Sequence, residues 1–287
     1  MSLSSSCATP PPGGTVPETE IESEVQSASS SLPASEVGAL AALESSPRHG
    51  EWVDIEIPGS DQSINAWLVY PERADNAPAV LVVHEIYGLT DWIRGVADQL
   101  AAAGFVAIAP DLLSGKGPGG GGTDSVSTRD EVVKLVRSLT PKETISQLNL
   151  VRDHVLGLSA VSGKLASIGF CWGGMTSFAY AVAQPKLDAA IVYYGTSPDD
   201  PEVYKEINAA VLGLYGEDDA RVNTTIPMAV SEMAKLGKTY EPNIYEAAGH
   251  GFLRAQEDRD GANMKATEQA WPRTLEFLKL HTEEGQG

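Results

Sequence analysis

The chain is poor in cysteine, in positive charge and in long apolar runs. Two cysteines, Cys7 and Cys171, stand in 287 residues, too few and too far apart for a disulfide framework. Twenty Lys and Arg face 39 Asp and Glu, a formal net charge of −19. A basic phosphate-binding surface is therefore not expected, and no nucleic-acid partner with it. The same acidic field disfavours polyanionic small molecules unless a local cation offsets it. No apolar stretch approaches the roughly 18 residues of a membrane helix, so no transmembrane span is expected. His49, His154 and His281 show no metal-ligand spacing, and neither a metal nor another cofactor is expected.

Large apolar residues are scarce in residues 1–45, which are rich in Ser, Pro, Thr, Glu and Gly. Such a segment cannot bury enough surface to offset its chain entropy, and the expectation is a disordered or extended tether. It has neither the basic start nor the apolar core of a signal peptide. "SSSCATPPP" looks like the beginning of a mature bacterial lipoprotein with its signal removed, in which Cys7 would carry the lipid anchor. The competing reading is a low-complexity extension of a cytoplasmic protein.

Residues 46–287 read as one domain. Two alternating runs, Trp52–Ile57 and Ile64–Tyr70, flank Pro58-Gly59-Ser60-Asp61, a hairpin signature. "PAVLVVHE" and "FVAIAPDL" are continuous apolar runs, as in strands buried on both faces. Between them Trp92, Ile93, Val96, Ala97 and Leu100 recur at helical spacing after a capping Thr90. Loop 115–124 is glycine-rich and reads as a mobile rim. A helix over 129–138 follows, then one opened by Thr140, Pro141 and Glu143, a capping box. "KLASIGF", "AAIVYYG", "AAVLGLYG" and "YEPNIYEAA" are further strands, and helices are predicted to about Gln184, over 224–236 and over 265–280. Strand and helix alternate after the hairpin. The prediction is a mostly parallel sheet with helices on both faces and an antiparallel start, with sites at the carboxyl ends of strands.

Gly169-Phe170-Cys171-Trp172-Gly173 fits the nucleophile-elbow pattern with Cys in place of Ser. The flanking residues must be small for so sharp a strand-to-helix turn to close. The thiol would then sit at a helix N-terminus, where the dipole favours a thiolate. A buried, inert cysteine is the competing reading. "LGLYGEDDARV" places Asp218 and Asp219 after the next-but-one strand, and "EAAGHGF" places His250 after the last. Nucleophile, acid and histidine in this order match the α/β-hydrolase arrangement. His250 would serve as general base and acid. Asp219, the choice over Asp218, would orient it.

"VLVVHEIYGLTDWIRGVADQLAAAGFVAIAPDLL", "SIGFCWGG", "LGLYGEDDARV" and "AAGHGFL" together resemble the dienelactone hydrolase (carboxymethylenebutenolidase-like) family of α/β-hydrolases, from about Glu51 to about Leu280. The resemblance implies a Cys171–Asp219–His250 triad and hydrolysis of small esters or lactones through a thioester. It implies that Glu85 contacts the resting thiol and activates it. It implies an oxyanion hole from the N–H groups of Ile86 and Trp172. Arg254, four residues after His250, would bind a substrate carboxylate; the alternative is a local ion pair with Glu257 or Asp258. One departure stands out, because the family's second substrate Arg and its neighbouring Tyr have no match in the region of loop 115–124. Arg129 and Arg137 are the nearby arginines. The departure favours an esterase of broader specificity, thioesters and activated phosphoesters included. A third alternative is a non-catalytic binding or redox-sensing protein with the same fold. His84 reads as a packed strand-end residue.

Overall fold

The computed structural model describes residues 32–283. The expectations for residues 1–31, Cys7 and its lipid included, lie outside them. The chain divides into residues 1–32 and 33–287, and the second unit is built on an eight-stranded sheet. Its strands are β1 (Gly50–Glu56), β2 (Ser63–Val69), β3 (Ala77–Val83), β4 (Val106–Pro110), β5 (Val161–Phe170), β6 (Ala189–Tyr193), β7 (Ala210–Asp218) and β8 (Tyr240–Gly249). They lie in the order β1-β2-β4-β3-β5-β6-β7-β8. The β1–β2 and β2–β4 pairs are antiparallel, and every pair from β4 onward is parallel. The predicted sheet is thus present. β3, β4 and β6 are buried along their whole length, as a parallel sheet covered on both faces requires.

The helices are α1 (Ala39–Glu44), α2 (Asp91–Ala102), α3 (Arg129–Ser138), α4 (Pro141–Leu156), α5 (Trp172–Ala183), α6 (Ala220–Asn223), α7 (Ile226–Lys235) and α8 (Ala262–Thr282). Local chemistry sets their starts. Thr90, Thr128 and Thr140 each accept a hydrogen bond from the backbone three residues on, satisfying donors that a helix leaves unpaired. Strand periodicity then sorts the core into two faces. Leu81, Val83, Ala190 and Val192 pack with Val136 of α3, Leu148 and Val151 of α4, Phe178 of α5 and Met233 of α7. On the other face Phe170 meets Trp92 of α2, and the Tyr193 hydroxyl bonds Thr274 of α8 at 2.7 Å.

One expected boundary moves. Residues 33–45, assigned to the tether, are ordered on the domain, and α1 lies among them. Average composition hides the short apolar run "ALAAL" at 39–43. Ala39 of that run is buried, and its Cβ lies 4.0 Å from where a side chain at Gly95 of α2 would begin. Just beyond, Ser46 Oγ donates to Asp98 at 2.6 Å and Arg48 Nε at 3.0 Å. Among the described residues no helix is long and apolar enough to cross a membrane.

Candidate active site

Register brings the expected residues to one edge. Val83 of β3 pairs with Gly169 of β5, Gly169 with Val192 of β6, Tyr193 with Leu214 of β7, and Asp218 with Gly249 of β8. Glu85, Cys171, Tyr194, Asp219 and His250 each follow their strand by one or two residues. All five therefore lie at the carboxyl edge, where open parallel sheets place their sites.

Cys171 occupies the turn between β5 and α5 with φ 54 and ψ −112. Such a conformation costs a β-carbon-bearing residue about 1–3 kcal/mol and persists only where its surroundings impose it. Backbone crowding imposes it here. A Cβ at Gly169 would lie 1.9 Å from the Gly173 carbonyl oxygen, and one at Gly173 2.3 Å from that of His84. Only glycine lets β5, α5 and β3 approach this closely. The Cys171 N–H is held by the Tyr193 carbonyl at 3.0 Å, and the residue is half-buried, with no disulfide partner among the described residues.

Asp219 and His250 meet. His250 Nδ1 lies 2.5 Å from Asp219 Oδ2, and the Asp219 side chain is almost wholly buried. Asp218 points away, exposed, to an ion pair with Arg259. The structure thus joins Asp219, not its neighbour, to the histidine. Burial pushes the His250 pKa down. Hydrogen bonds to Asp219 and Cys171, with the charges of both, push it up further, to about 9.

Glu85 has a different partner from the expected one. Its buried carboxylate lies 2.9 Å from Arg254 Nε, too oblique for a hydrogen bond. Burial raises the Glu85 pKa to about 6 against the pull of Arg254 and His250. Arg254 turns inward to Glu85 and Glu36, and not to Glu257 or Asp258. Arg129 joins it: both guanidinium groups lie over the Tyr87 ring, at 4.8 Å for Arg129 and 5.4 Å for Arg254.

Trp172 is the first residue of α5, so its N–H has no intrahelical acceptor. The Ile86 N–H also has no backbone acceptor among the described residues. The Trp172 ring stacks on His84 at 5.5 Å, which brings the two segments together. His84 is fully buried, its Nδ1 lies 2.8 Å from the Glu85 carbonyl, and burial lowers its pKa.

Tyr194 is a site residue that sequence reasoning missed. It is fully buried, holds φ 39, and packs edge-on to His250 at 5.2 Å. Its hydroxyl lies by Glu85 without hydrogen-bond geometry. The only hint in the sequence is a tyrosine pair at a strand end. The glycine-rich loop, expected to be a mobile rim, is anchored at its far end: Asp111 accepts from Thr123 N at 2.6 Å and from Thr123 Oγ1 at 2.8 Å. A cleft of about 410 Å³ beside it is lined by Asp54, Asp61, Asp111 and Asp124, with no triad residue on its walls. Among the described residues no cluster of three or more His, Cys, Asp or Glu side chains could hold a metal.

The sheet order, the strained cysteine turn and the Cys, Asp, His chain order define an α/β-hydrolase. Within that class the chain belongs to the dienelactone hydrolase family, whose model matches residues 64–282. A protein of Salmonella typhimurium (strain LT2) named "Putative carboxymethylenebutenolidase" is 32% identical over 241 residues, 77% of this chain and 84% of its own. An Escherichia coli (strain K12) protein of the same name is 30% identical over 240 residues, covering 78% and 85%. A Klebsiella pneumoniae crystal structure titled "Putative Dienelactone Hydrolase" is 27% identical with a TM-score of 0.68, over 80% of this chain and 98% of that one. The chain is accordingly a hydrolase of the carboxylic ester and lactone class.

Proposed function

We propose that this hydrolase cleaves small esters or lactones through Cys171, His250 and Asp219 by way of a thioester. The observation that carries the reading is the strained Cys171 turn set against a histidine that is 2.5 Å from a buried carboxylate. The reactive form in this scheme pairs a Cys171 thiolate with protonated His250, and the raised His250 pKa favours the imidazolium half of that pair. The thiolate attacks the carbonyl carbon, a C–S bond forms, and the oxyanion sits between the N–H groups of Ile86 and Trp172. Collapse breaks the C–O bond, and the His250 proton passes to the departing alkoxide. Neutral His250 then takes a proton from water, whose oxygen attacks the thioester; the acid leaves and the thiolate–imidazolium pair is restored. Asp219 keeps the imidazole in one tautomer throughout. Glu85 supports the imidazolium from its place beside His250 and Arg254.

A panel of small esters and lactones tests this on wild type and Cys171→Ala. The expected loss in the variant is at least about 10³-fold for every substrate turned over. Brief acid quenching of wild type should reveal an acyl adduct on Cys171 by mass spectrometry. Turnover that survives Cys171→Ala unchanged would remove the nucleophile from the scheme. One observation favours neutral esters over anionic lactones: the cations near the site already have internal anionic partners.

A further inference from the structure

A segment distant in sequence reaches the catalytic edge. Three contacts seat residues 33–36 on the loop after His250. Gln256 Nε2 donates to the Pro33 carbonyl at 2.9 Å, Ser35 Oγ to Glu257 at 2.5 Å, and the Glu36 N–H to the Arg254 carbonyl at 2.9 Å. The Glu36 carboxylate then spans two arginines: one oxygen accepts from Arg254 Nη1 and the other from Arg129 Nη2. Both guanidinium groups rest on Tyr87. A carboxylate between two arginines above an aromatic ring is a strong recognition geometry for that group.

Arg254 belongs to the reaction site by position. Its Nε is 2.9 Å from Glu85, which follows β3 at the sheet edge that also carries Cys171 and His250, and Tyr194 there packs edge-on to His250. Arg129 and Glu36 keep side-chain exposures of 59% and 28%, so the clamp is open to solvent and its occupant can be displaced. An internal carboxylate competes at an effective concentration of roughly millimolar. A substrate carboxylate with weaker affinity than that is turned away.

We propose that Glu36 is a specificity-determining residue. It fills the anion clamp of Arg129, Arg254 and Tyr87, so the site takes neutral acyl groups and admits a carboxylate-bearing ester only by displacing Glu36. This rests on the ester-hydrolase reading above.

A matched pair of substrates tests it: 4-nitrophenyl butyrate and mono-4-nitrophenyl succinate, in which a carboxylate replaces the terminal methyl. Wild type should show a succinyl-to-butyryl kcat/KM ratio below about one tenth. Glu36→Gln should raise that ratio at least about tenfold, Glu36→Asp should leave it near wild type, and adding Arg129→Ala to Glu36→Gln should cancel most of the gain. Calorimetric titration with benzoate should show at least about tenfold tighter binding to Glu36→Gln than to wild type. An unchanged ratio together with unchanged benzoate affinity overturns the proposal. If wild type hydrolyses neither ester, the hydrolase reading fails while the titration still decides the role of Glu36. If Glu36→Gln does not fold, wild type decides alone, because a ratio above one overturns the proposal.

Discussion

At His250 two effects of opposite sign meet. Burial favours the neutral imidazole, whereas Asp219 and Cys171 favour the imidazolium, and the second effect wins with a pKa of about 9. In the proposed mechanism the proton is therefore in place at neutral pH to be given to a leaving group. The alkaline limb of kcat/KM for a neutral ester should fall near pH 9, where that proton is lost. Asp219→Asn removes one of the groups that raise the value. It should move the limb to lower pH and cut kcat by about 10³–10⁴-fold. A limb that stays in place would count against the Asp219–His250 coupling. Stability follows the same linkage. The folded-state value lies above the ordinary 6.5, so the contribution is complete below about pH 6.5 and is lost as pH rises through about 9. Melting temperatures of wild type should decline over that window relative to those of His250→Asn.

At the scale of elements, the site depends on how closely β3, β5 and α5 approach. Gly169 and Gly173 leave no room for a β-carbon against the facing carbonyls. Gly169→Ala should destabilise the fold by about 3 kcal/mol or more, the upper range for overpacking, in urea denaturation. Any folded fraction should also show altered reactivity of Cys171 toward iodoacetamide, because the turn that presents the thiol must shift. A cost below about 1 kcal/mol would mean that the turn can relax without loss. The N-terminal strap is an element of another kind. Its helix α1 is short and buries only Ala39, so its consequence comes from what Glu36 touches and not from burial.

Across the whole molecule, the net charge of −19 sets a long-range field that repels anions before any contact forms. Raising ionic strength from about 0.01 to 0.15 M shortens the screening length from about 30 to 8 Å. The kcat/KM for the succinyl ester should rise over that range, while that for the butyryl ester should change little. Equal salt responses for the two esters would show that the field does not reach the site. The field and the Glu36 clamp act in the same direction, and salt distinguishes them: screening relieves the long-range repulsion, while removal of Glu36 frees the local cations.

Much of this was readable from local pattern. Continuous apolar runs marked the buried parallel strands, threonine caps marked helix starts, and the glycines around Cys171 marked the strained turn. Chain order placed a carboxylate and a histidine on neighbouring strand ends, where they meet, since a period-2 strand followed by a turn delivers its next residues to the edge. Pattern alone did not fix which charges meet. Glu85 was expected on the thiol and lies on Arg254, because a buried carboxylate is stabilised most by a cation. Glu36 lies 93 residues from Arg129 and 218 from Arg254, and ion pairs at such separations leave no periodic trace. Composition, periodicity and chain order by themselves determined the sheet and the edge of it that carries Cys171, Asp219 and His250. The tertiary structure alone decided the charge balance around them, because burial and proximity, not sequence spacing, select the partner of each ionised group.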